Sequence, residues 1–387
     1  MARSLSAFLS LNDFDAVARG LLPKPLYAYV RGAVEDEVSY DSNFSSFRRY
    51  DLLPNALVDV SHVDMKVTLF GKQYAAPVGI APMGIAAITS YRGDVTLAQA
   101  AAKAGVPCIM SGSSLIRLEE VMEVAPTTWF QAYLPGDEAQ INALIDRIIA
   151  AKVETLVLTV DTPVAANREN NVRAGFSTPL RPSVRLAYEG ITHPTWLIHT
   201  FFKTLLRHGM PHFENNYATR GTPIMSANVL RDFSDRGHLN WAHVSKIRAR
   251  WKGPLIIKGI LNPKDAIKAQ NIGADGIIVS NHGGRQLDTS VAPLTILPRI
   301  IEATPDLTIM LDSGVRRGTD AIKAMALGAK AVFVGRPFNY AATVAGEAGV
   351  AHAIKLITDE VKRDLGLLGV PELSALNGDV LVDRHRP

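Results

Sequence analysis

From residue 76 onward the chain repeats one alternation eight times: a short apolar run, then an amphipathic stretch. The apolar runs fall at 77–81, 107–111, 128–133, 155–161, 255–258, 276–280, 308–312 and 331–335. Helical patterns lie between them, as at 95–104, 138–151, 263–271 and 319–327. Short continuous apolar runs predict strands buried on both faces, the setting of a parallel sheet whose connections return through helices. Eight such units predict an α/β fold, a (β/α)8 TIM barrel, in preference to an open doubly wound sheet. The first run leads into Met83-Gly84-Ile85-Ala86, which is not a glycine-rich dinucleotide fingerprint.

The 387 residues suffice for one such barrel with additions. The expected organisation is a single unit over 1–387. It has an N-terminal helical cap at 1–75, with helical patterns at 13–22 and 25–40, a barrel at 76–363 and a C-terminal tail at 364–387. One large insertion, 162–238, separates the fourth strand from its helix, and loops of that length are usually functional or disordered. The single cysteine, Cys108, excludes an intrachain disulfide, sits in an apolar run, and fits a reducing compartment. No apolar run reaches the roughly 18 residues of a membrane span. The net charge of +4 is local: residues 181–250 hold ten Lys/Arg against four Asp/Glu, leaving the rest net negative. The basic balance therefore does not mark a nucleic-acid partner.

In a barrel of this type the chemistry gathers at the C-terminal strand ends. Those ends read Pro82-Met83-Gly84, Ser111-Gly112, Gln131 with Tyr133, Thr159 with Asp161, Lys258, Ser280 with His282 and Arg285, Asp312-Ser313-Gly314-Val315-Arg316, and Gly335-Arg336. Buried polar groups must find partners, so this many polar strand ends point to a polar ligand. After the sixth run, His282 and Arg285 are separated by two glycines. Histidine is the side chain most easily used as a base near neutral pH, and arginine is the best fork for a carboxylate. Together they suggest a site that takes a proton from a small acid. The seventh and eighth ends combine glycine with arginine where barrels commonly hold a phosphate. The alternative there is tight turns and surface ion pairs.

Residues 280–288, 311–320 and 327–337 resemble the signature segments of the FMN-dependent α-hydroxy acid oxidase and dehydrogenase family, which includes glycolate oxidase, lactate oxidase and mandelate dehydrogenase. The similarity runs from Leu22 to Gly349, apart from most of 175–235. It implies oxidation of an L-2-hydroxy acid to the 2-oxo acid with FMN as cofactor and quinone or dioxygen as oxidant. By the same resemblance His282 is the base, Asp161 steadies its imidazolium, and Tyr133 bonds the reacting oxygen. Arg285 binds the substrate carboxylate with help from Tyr29 and Arg168, and Lys258 faces the flavin pyrimidine edge. Pro82, Met83, Gly84, Ser111, Gln131, Thr159 and Ser280 would line the flavin ring. Asp312, Ser313, Gly314, Arg316, Gly335 and Arg336 would hold the ribityl phosphate. The resemblance also implies a homotetramer in the cytoplasm, with attachment to the inner face of the cell membrane as an open alternative. The rival functions are another phosphate-binding FMN barrel, such as an isomerase, and a non-catalytic binding barrel.

Each residue type has an ordinary use as well. Tyr29 and Tyr133 fit as core tyrosines, Asp161 as a turn cap and Lys258 as a residue reaching for solvent. Arg168 could pair with Glu169 or Asp161. Gly84 stands where several oxidases of the family carry alanine, which points toward the dehydrogenases. Ser111-Gly112-Ser113-Ser114 lacks the bulky aromatic found in glycolate oxidase, implying room for an aryl or branched substrate.

Within the insertion, 196–208 has helical periodicity. Leu197, Ile198, Phe201, Phe202, Leu205 and Leu206 share one arc, opposite His199, Lys203 and Arg207, with Trp196 out of place. A basic amphipathic helix of this kind either lies in an anionic membrane surface or packs on the barrel rim or a neighbouring subunit. The membrane-bound members of the family use this loop for attachment, so contact through about 190–215 is one expectation.

Overall fold

The computed structural model describes residues 4–177, 183–226 and 236–385. Its centre is one sheet of eight parallel strands: β1 Val78–Ile80, β2 Ile109–Ser111, β3 Trp129–Ala132, β4 Leu156–Thr159, β5 Leu255–Ile260, β6 Gly276–Val279, β7 Thr308–Asp312 and β8 Val332–Val334. Their order is β1-β8-β7-β6-β5-β4-β3-β2. A parallel bridge between Ile80 and Cys108, with the Ile80 N–H donating to Pro107 O at 2.9 Å, joins the two edge strands. The result is the TIM barrel expected from the eight repeats, and every apolar run coincides with one strand, β5 running two residues past its run to Ile260. Most ladders stop short of the runs' ends, because residues such as Tyr133, Asp161 and Ser280 leave the sheet to face the barrel mouth.

Alternation along the strands explains how one barrel is both a core and a site. Ile109, Trp129, Val157, Ile256, Ile278, Met310 and Phe333 form one buried cluster inside the barrel. Two residues further along the same strands stand Ser111, Gln131, Thr159, Lys258, Ser280, Asp312 and Gly335. Residues i and i+2 share a face of a strand. The interior is therefore plugged with apolar side chains at its base and turns polar one layer higher. A hairpin of Val67–Leu69 and Lys72–Tyr74 caps the plug, with Trp129 Nε1 donating to Tyr74 Oη at 2.9 Å.

The N-terminal cap comprises α1 Asp13–Leu21, α2 Lys24–Arg31 and α3 Val38–Ser45. The single helix expected over 25–40 is broken after Arg31, and Glu35 and Glu37 have φ of 47° and 62°. The cause is a distant carboxylate. Asp288, beyond β6, accepts the N–H groups of Asp36, Val38 and Ser39 at 3.1, 3.3 and 2.8 Å. Those bonds satisfy amides at the start of α3 that would otherwise have continued one helix. The final helix, Arg336–Leu368, is kinked at Ala345 and Gly346. Beyond it Leu381–Asp383 pairs antiparallel with Tyr50–Leu52, tying the C-terminal tail to the segment that follows the cap helices.

The insertion between β4 and Trp241–Arg250 carries Glu169–Ala174, Val184–Thr192 and a helical stretch, Pro194–Trp196, Leu197–Phe202 and Lys203–His208, whose middle turn is π-helical. Arg147 ties the insertion to the barrel rim. It donates to Glu214 O and Tyr217 O at 2.7 and 3.0 Å while forming a bidentate pair with Glu119.

Candidate active site

At the C-terminal strand ends a cavity of about 720 Å³ is lined by residues from the cap, the barrel and the insertion. Tyr29, Pro82, Met83, Gly84, Tyr133, Thr159, Arg168, Lys258, His282, Arg285, Asp312, Ser313, Gly314, Arg316, Gly335 and Arg336 all line it. Ser111, Gln131, Asp161 and Ser280 stand directly behind the wall and bond to it or to each other.

The sixth strand ends in a turn of unusual backbone. His282, Gly283 and Gly284 have φ of 59°, 68° and 73°. A left-handed non-glycine residue costs about 1–2 kcal/mol, so the turn persists because bonds around it hold it. The His282 N–H donates to Ser280 Oγ at 3.0 Å, and the Gly283 N–H to Ser313 Oγ at 3.0 Å. His282 Nδ1 lies 2.9 Å from Asp161 Oδ1, leaving Nε2 without a partner among the described residues. Burial pushes the His282 imidazole below its ordinary range, against the pull of Asp161. Burial acts to raise Asp161, but the His282 charge and hydrogen bond outweigh it and hold the carboxyl low. The pair is a neutral base backed by a carboxylate, and among the described residues the Asp161 side chain is engaged by His282 and caps no turn. Gly259, at φ 100° in a bulge of β5, makes room for it; a Cβ there would lie 2.7 Å from the Asp161 Cβ.

Lys258 is buried and does not reach solvent. Its Nζ is 2.8 Å from both Ser280 Oγ and Asp312 Oδ2. Burial acts against its charge, but Asp312 and Asp161 outweigh this and raise its pKa. Asp312 also accepts from Ser313 Oγ at 2.9 Å, so β5, β6 and β7 are joined by one chain of hydrogen bonds.

Three guanidinium groups converge at the mouth. Arg285 Nη1 donates to Gly32 O at 2.6 Å and approaches Val30 O at 3.3 Å, and its Cζ lies 5.1 Å from the Tyr29 ring centroid. Arg336 holds the same two carbonyls through Nε and Nη2, each at 2.9 Å. Arg168 pairs with neither Glu169 nor Asp161. It donates to Arg285 O and Gln286 Oε1 at 3.1 and 2.6 Å, while Glu169 is taken by Arg173. None of the three makes an ion pair among the described residues. Burial, then the neighbouring Arg168 and Arg336 charges, push Arg285 down to about 9, and burial pushes Arg336 down to about 10. A bound anion relieves such crowding.

The phosphate-like end combines Ser313 and Gly314, at φ 79° and 98°, with the start of the helix Arg336–Leu368. Its first amides and the Arg316 and Arg336 side chains suit a dianion. Gly314 is forced by contact as well as by φ, since a Cβ would lie 2.4 Å from Asn43 O.

Several wall residues were not anticipated. Phe176, Phe213, Ile224 and Arg236 come from the insertion, with Val164, Ala165 and Ala166 beside them. Phe176 packs on Tyr29 with ring centroids 4.6 Å apart, and the Arg236 guanidinium lies 4.4 Å from the Tyr133 ring. No periodicity marks these residues; the one local signal is Gly175 immediately before Phe176.

A barrel mouth with a histidine–aspartate base, a group of arginines fit for a carboxylate and an adjoining phosphate cradle defines a phosphocofactor-dependent barrel enzyme acting on an organic acid. Residues 18–383 match the family model described as FMN-dependent dehydrogenase, and the chain belongs to that family of FMN-dependent hydroxy acid dehydrogenases. It is 38% identical over 383 residues to an L-lactate dehydrogenase of Caulobacter vibrioides, covering 97% of this chain and 98% of the relative. Among solved structures it resembles the monotopic membrane protein (S)-mandelate dehydrogenase at a TM-score of 0.88 and 32% identity, covering 97% and 100% of the two chains. A mandelate oxidase variant matches at a TM-score of 0.80 and 31% identity, covering 97% and 98%.

The cavity fits FMN on its own terms. Gln131 Nε2 and Thr159 Oγ1, on neighbouring strand ends, are buried without a hydrogen-bond partner among the described residues, as is Asp161 Oδ2. Gln131 and Thr159 suit the polar edge of a flavin, a buried cation waits at Lys258, and the glycine–arginine cradle suits its phosphate.

Proposed function

We propose that this chain oxidises an L-2-hydroxy acid to the 2-oxo acid. The observation that carries the reading is the His282–Asp161 pair facing the same cavity as Arg285 and Arg168. When bound, FMN supplies a two-electron acceptor. Arg285 takes the substrate carboxylate on Nε and Nη2, which have no partner among the described residues, with Arg168 and Tyr29 beside it. The Tyr133 hydroxyl, kept protonated by burial, donates to the substrate oxygen. His282 Nε2 takes a proton from the hydroxy-bearing carbon or its hydroxyl, and Asp161 stabilises the imidazolium. Lys258 sets positive charge against the flavin pyrimidine edge, where it favours the electron-rich state. Gln131, Thr159, Ser111 and Ser280 would complete that edge, Asp312 would accept from the ribityl hydroxyls, and Ser313, Gly314, Arg316, Gly335 and Arg336 would hold the phosphate.

The substrate side chain is larger than that of glycolate. Ser113, Val164, Ala165 and Ala166 leave the wall open, and Phe176 and Phe213 offer apolar faces to an aryl or branched group. The direct test mixes the yellow protein anaerobically with glycolate, lactate and mandelate and follows the flavin band. Bleaching fastest with a bulky acid is expected. No bleaching with any of them removes the activity, and equal efficiency with glycolate removes the size preference.

A quinone is the proposed final oxidant, supported by Gly84 and by the surface of the insertion. Trp196, the residue out of place on the helical wheel, is the anchor: it is buried and its Nε1 donates to Ile88 O at 2.7 Å. Lys203 lies 3.9 Å from the Tyr91 ring centroid, and His208 bonds Tyr91 Oη. The helix therefore docks through part of its polar side and turns its apolar arc outward. Ile198, Phe202 and Leu206 are 55%, 45% and 84% exposed, and Val184, Tyr188 and Ile191 of the preceding helix are exposed too. An apolar face this open, bordered by cations, suits an anionic bilayer surface. Among the described residues no helix is long and apolar enough to cross a membrane. The protein is expected to sediment with anionic vesicles, and Phe202→Glu/Leu206→Glu to stay in the supernatant. Equal recovery of both in the supernatant would remove membrane attachment.

A further inference from the structure

Two buried amides join the cap to the turn that carries the base. Asn43 on α3 donates from Nδ2 to Asn281 Oδ1 at 2.9 Å and accepts at Oδ1 from Asn281 Nδ2 at 2.7 Å. They are 1% and 4% exposed, so neither amide can exchange its partner for water. Asn281 directly precedes His282, and its Oδ1 shares the Gly284 N–H with its own backbone carbonyl, each at 3.1 Å. One side chain thus spans the left-handed turn of His282, Gly283 and Gly284. Because a backbone N–H can only donate, the Gly284 bond fixes which Asn281 atom is oxygen. Position 43 must then supply one donor and one acceptor together, which a carboxamide does.

The rest of α3 grips the same segment. Ser39, one turn before Asn43, places Oγ 3.2 Å from Leu287 O and 3.1 Å from Ser290 Oγ. Asp288 holds the first amides of α3, as described above. Asn43 O also abuts Gly314 of the phosphate cradle. Asn43 itself is not among the residues lining the cavity.

We propose that Asn43 is a positioning residue for the reaction: through Asn281 it holds the left-handed turn that aims the His282 imidazole into the cavity. This rests on the role of His282 given under Proposed function. Misplacing a reacting group by a fraction of an ångström to an ångström costs rate without unfolding the protein.

The isosteric Asn43→Asp separates positioning from packing. The ionised carboxylate it introduces has no donor and sets a negative charge against Asn281 Oδ1. Turning the Asn281 amide over gives no relief, because its Oδ1 then meets the other carboxylate oxygen; the pair is pushed apart, which draws the Asn281 side chain away from the Gly284 N–H. Once protonated, the new carboxyl again offers one donor and one acceptor. The charged groups packed on α3 are Arg31 and Arg336 over the Tyr40 ring, Arg316 over the Phe44 ring and Asp288 on its first amides, with His282 next to Asn281; among the described residues none is hydrogen-bonded to Asn43. Anaerobic flavin reduction is followed in FMN-loaded wild type and variant from about pH 8 down to about pH 5, below which a buried carboxyl is largely protonated. Reduction of the variant is expected to be at least about tenfold slower near the alkaline end. Its ratio to wild type is expected to climb toward one as the pH falls. A ratio that stays flat with pH overturns the proposal, as does a folded variant within about twofold of wild type throughout. If Asn43→Asp does not fold, Asn281→Asp carries the same test, since it too loses one donor of the pair and regains it on protonation. Failure of the wild type itself to be reduced by any 2-hydroxy acid removes the role of His282, and that of Asn43 with it.

Discussion

His282→Asn is expected to yield a yellow, folded protein whose flavin is reduced by its hydroxy acid about 10²–10⁴-fold more slowly than in wild type. Asparagine suits the test for two reasons. It tolerates the left-handed backbone that position 282 requires at φ 59°. Its Nδ2 also falls near the place of the imidazole Nδ1, so the bond to Asp161 survives while the atom facing the cavity, Nε2, is deleted. The loss therefore reports the base alone, worth about 3–5 kcal/mol of barrier. The wild-type rate should fall in acid, because only the neutral imidazole accepts a proton. Burial sets the His282 pKa below its ordinary value, so that fall is expected below the usual imidazole midpoint of about 6.5. Stopped-flow reduction under anaerobic conditions measures both. A variant within about threefold of wild type would show that another group takes the proton.

The polar half of this site was legible because the strands obey period two. Each apolar residue of the barrel plug, Ile256 for example, is followed two positions later by a residue of the mouth, here Lys258. That spacing is local, so it can be read without knowing what packs on what. The same holds for the turn at 282–284, where consecutive glycines declare a backbone that few residues adopt. What escaped was decided by distant partners. The break between α2 and α3 is fixed by Asp288, some 250 positions along the chain, and Gly32, the residue that ends α2, is the one local hint of it within 25–40. Arg168 ignores its neighbour Glu169 because the carbonyl of Arg285 and the amide of Gln286 are brought to it by the barrel. Phe176, Phe213 and Arg236 reach the cavity from an insertion without periodicity. The insertion's outward apolar arc, by contrast, was visible on the helical wheel. Only its orientation needed the structure, and Trp196 supplied it.

Arg285→Met is expected to lower kcat/KM for the hydroxy acid about 10²–10³-fold, roughly 3–4 kcal/mol, the scale of a lost charge-assisted fork. The protein should still fold. Arg285 caps the carbonyls of Val30 and Gly32 through Nη1 alone, and Arg336 holds the same two oxygens through Nε and Nη2. The end of α2 thus keeps its partners when Arg285 is removed. The variant also takes one of three crowded cations out of a buried site, which relieves repulsion on Arg168 and Arg336 and works against unfolding. Arg285→Lys retains the charge but has a single nitrogen, which cannot hold the α2 carbonyls and both carboxylate oxygens at once. It should fall between wild type and Arg285→Met. The decisive comparison is between a hydroxy acid and its neutral methyl ester. Wild type should favour the acid strongly, and Arg285→Met should lose most of that preference, because the ester never used the fork. If the acid-to-ester ratio survives the substitution, the carboxylate is bound elsewhere in the cavity. His282 would then face a substrate turned differently from the one proposed.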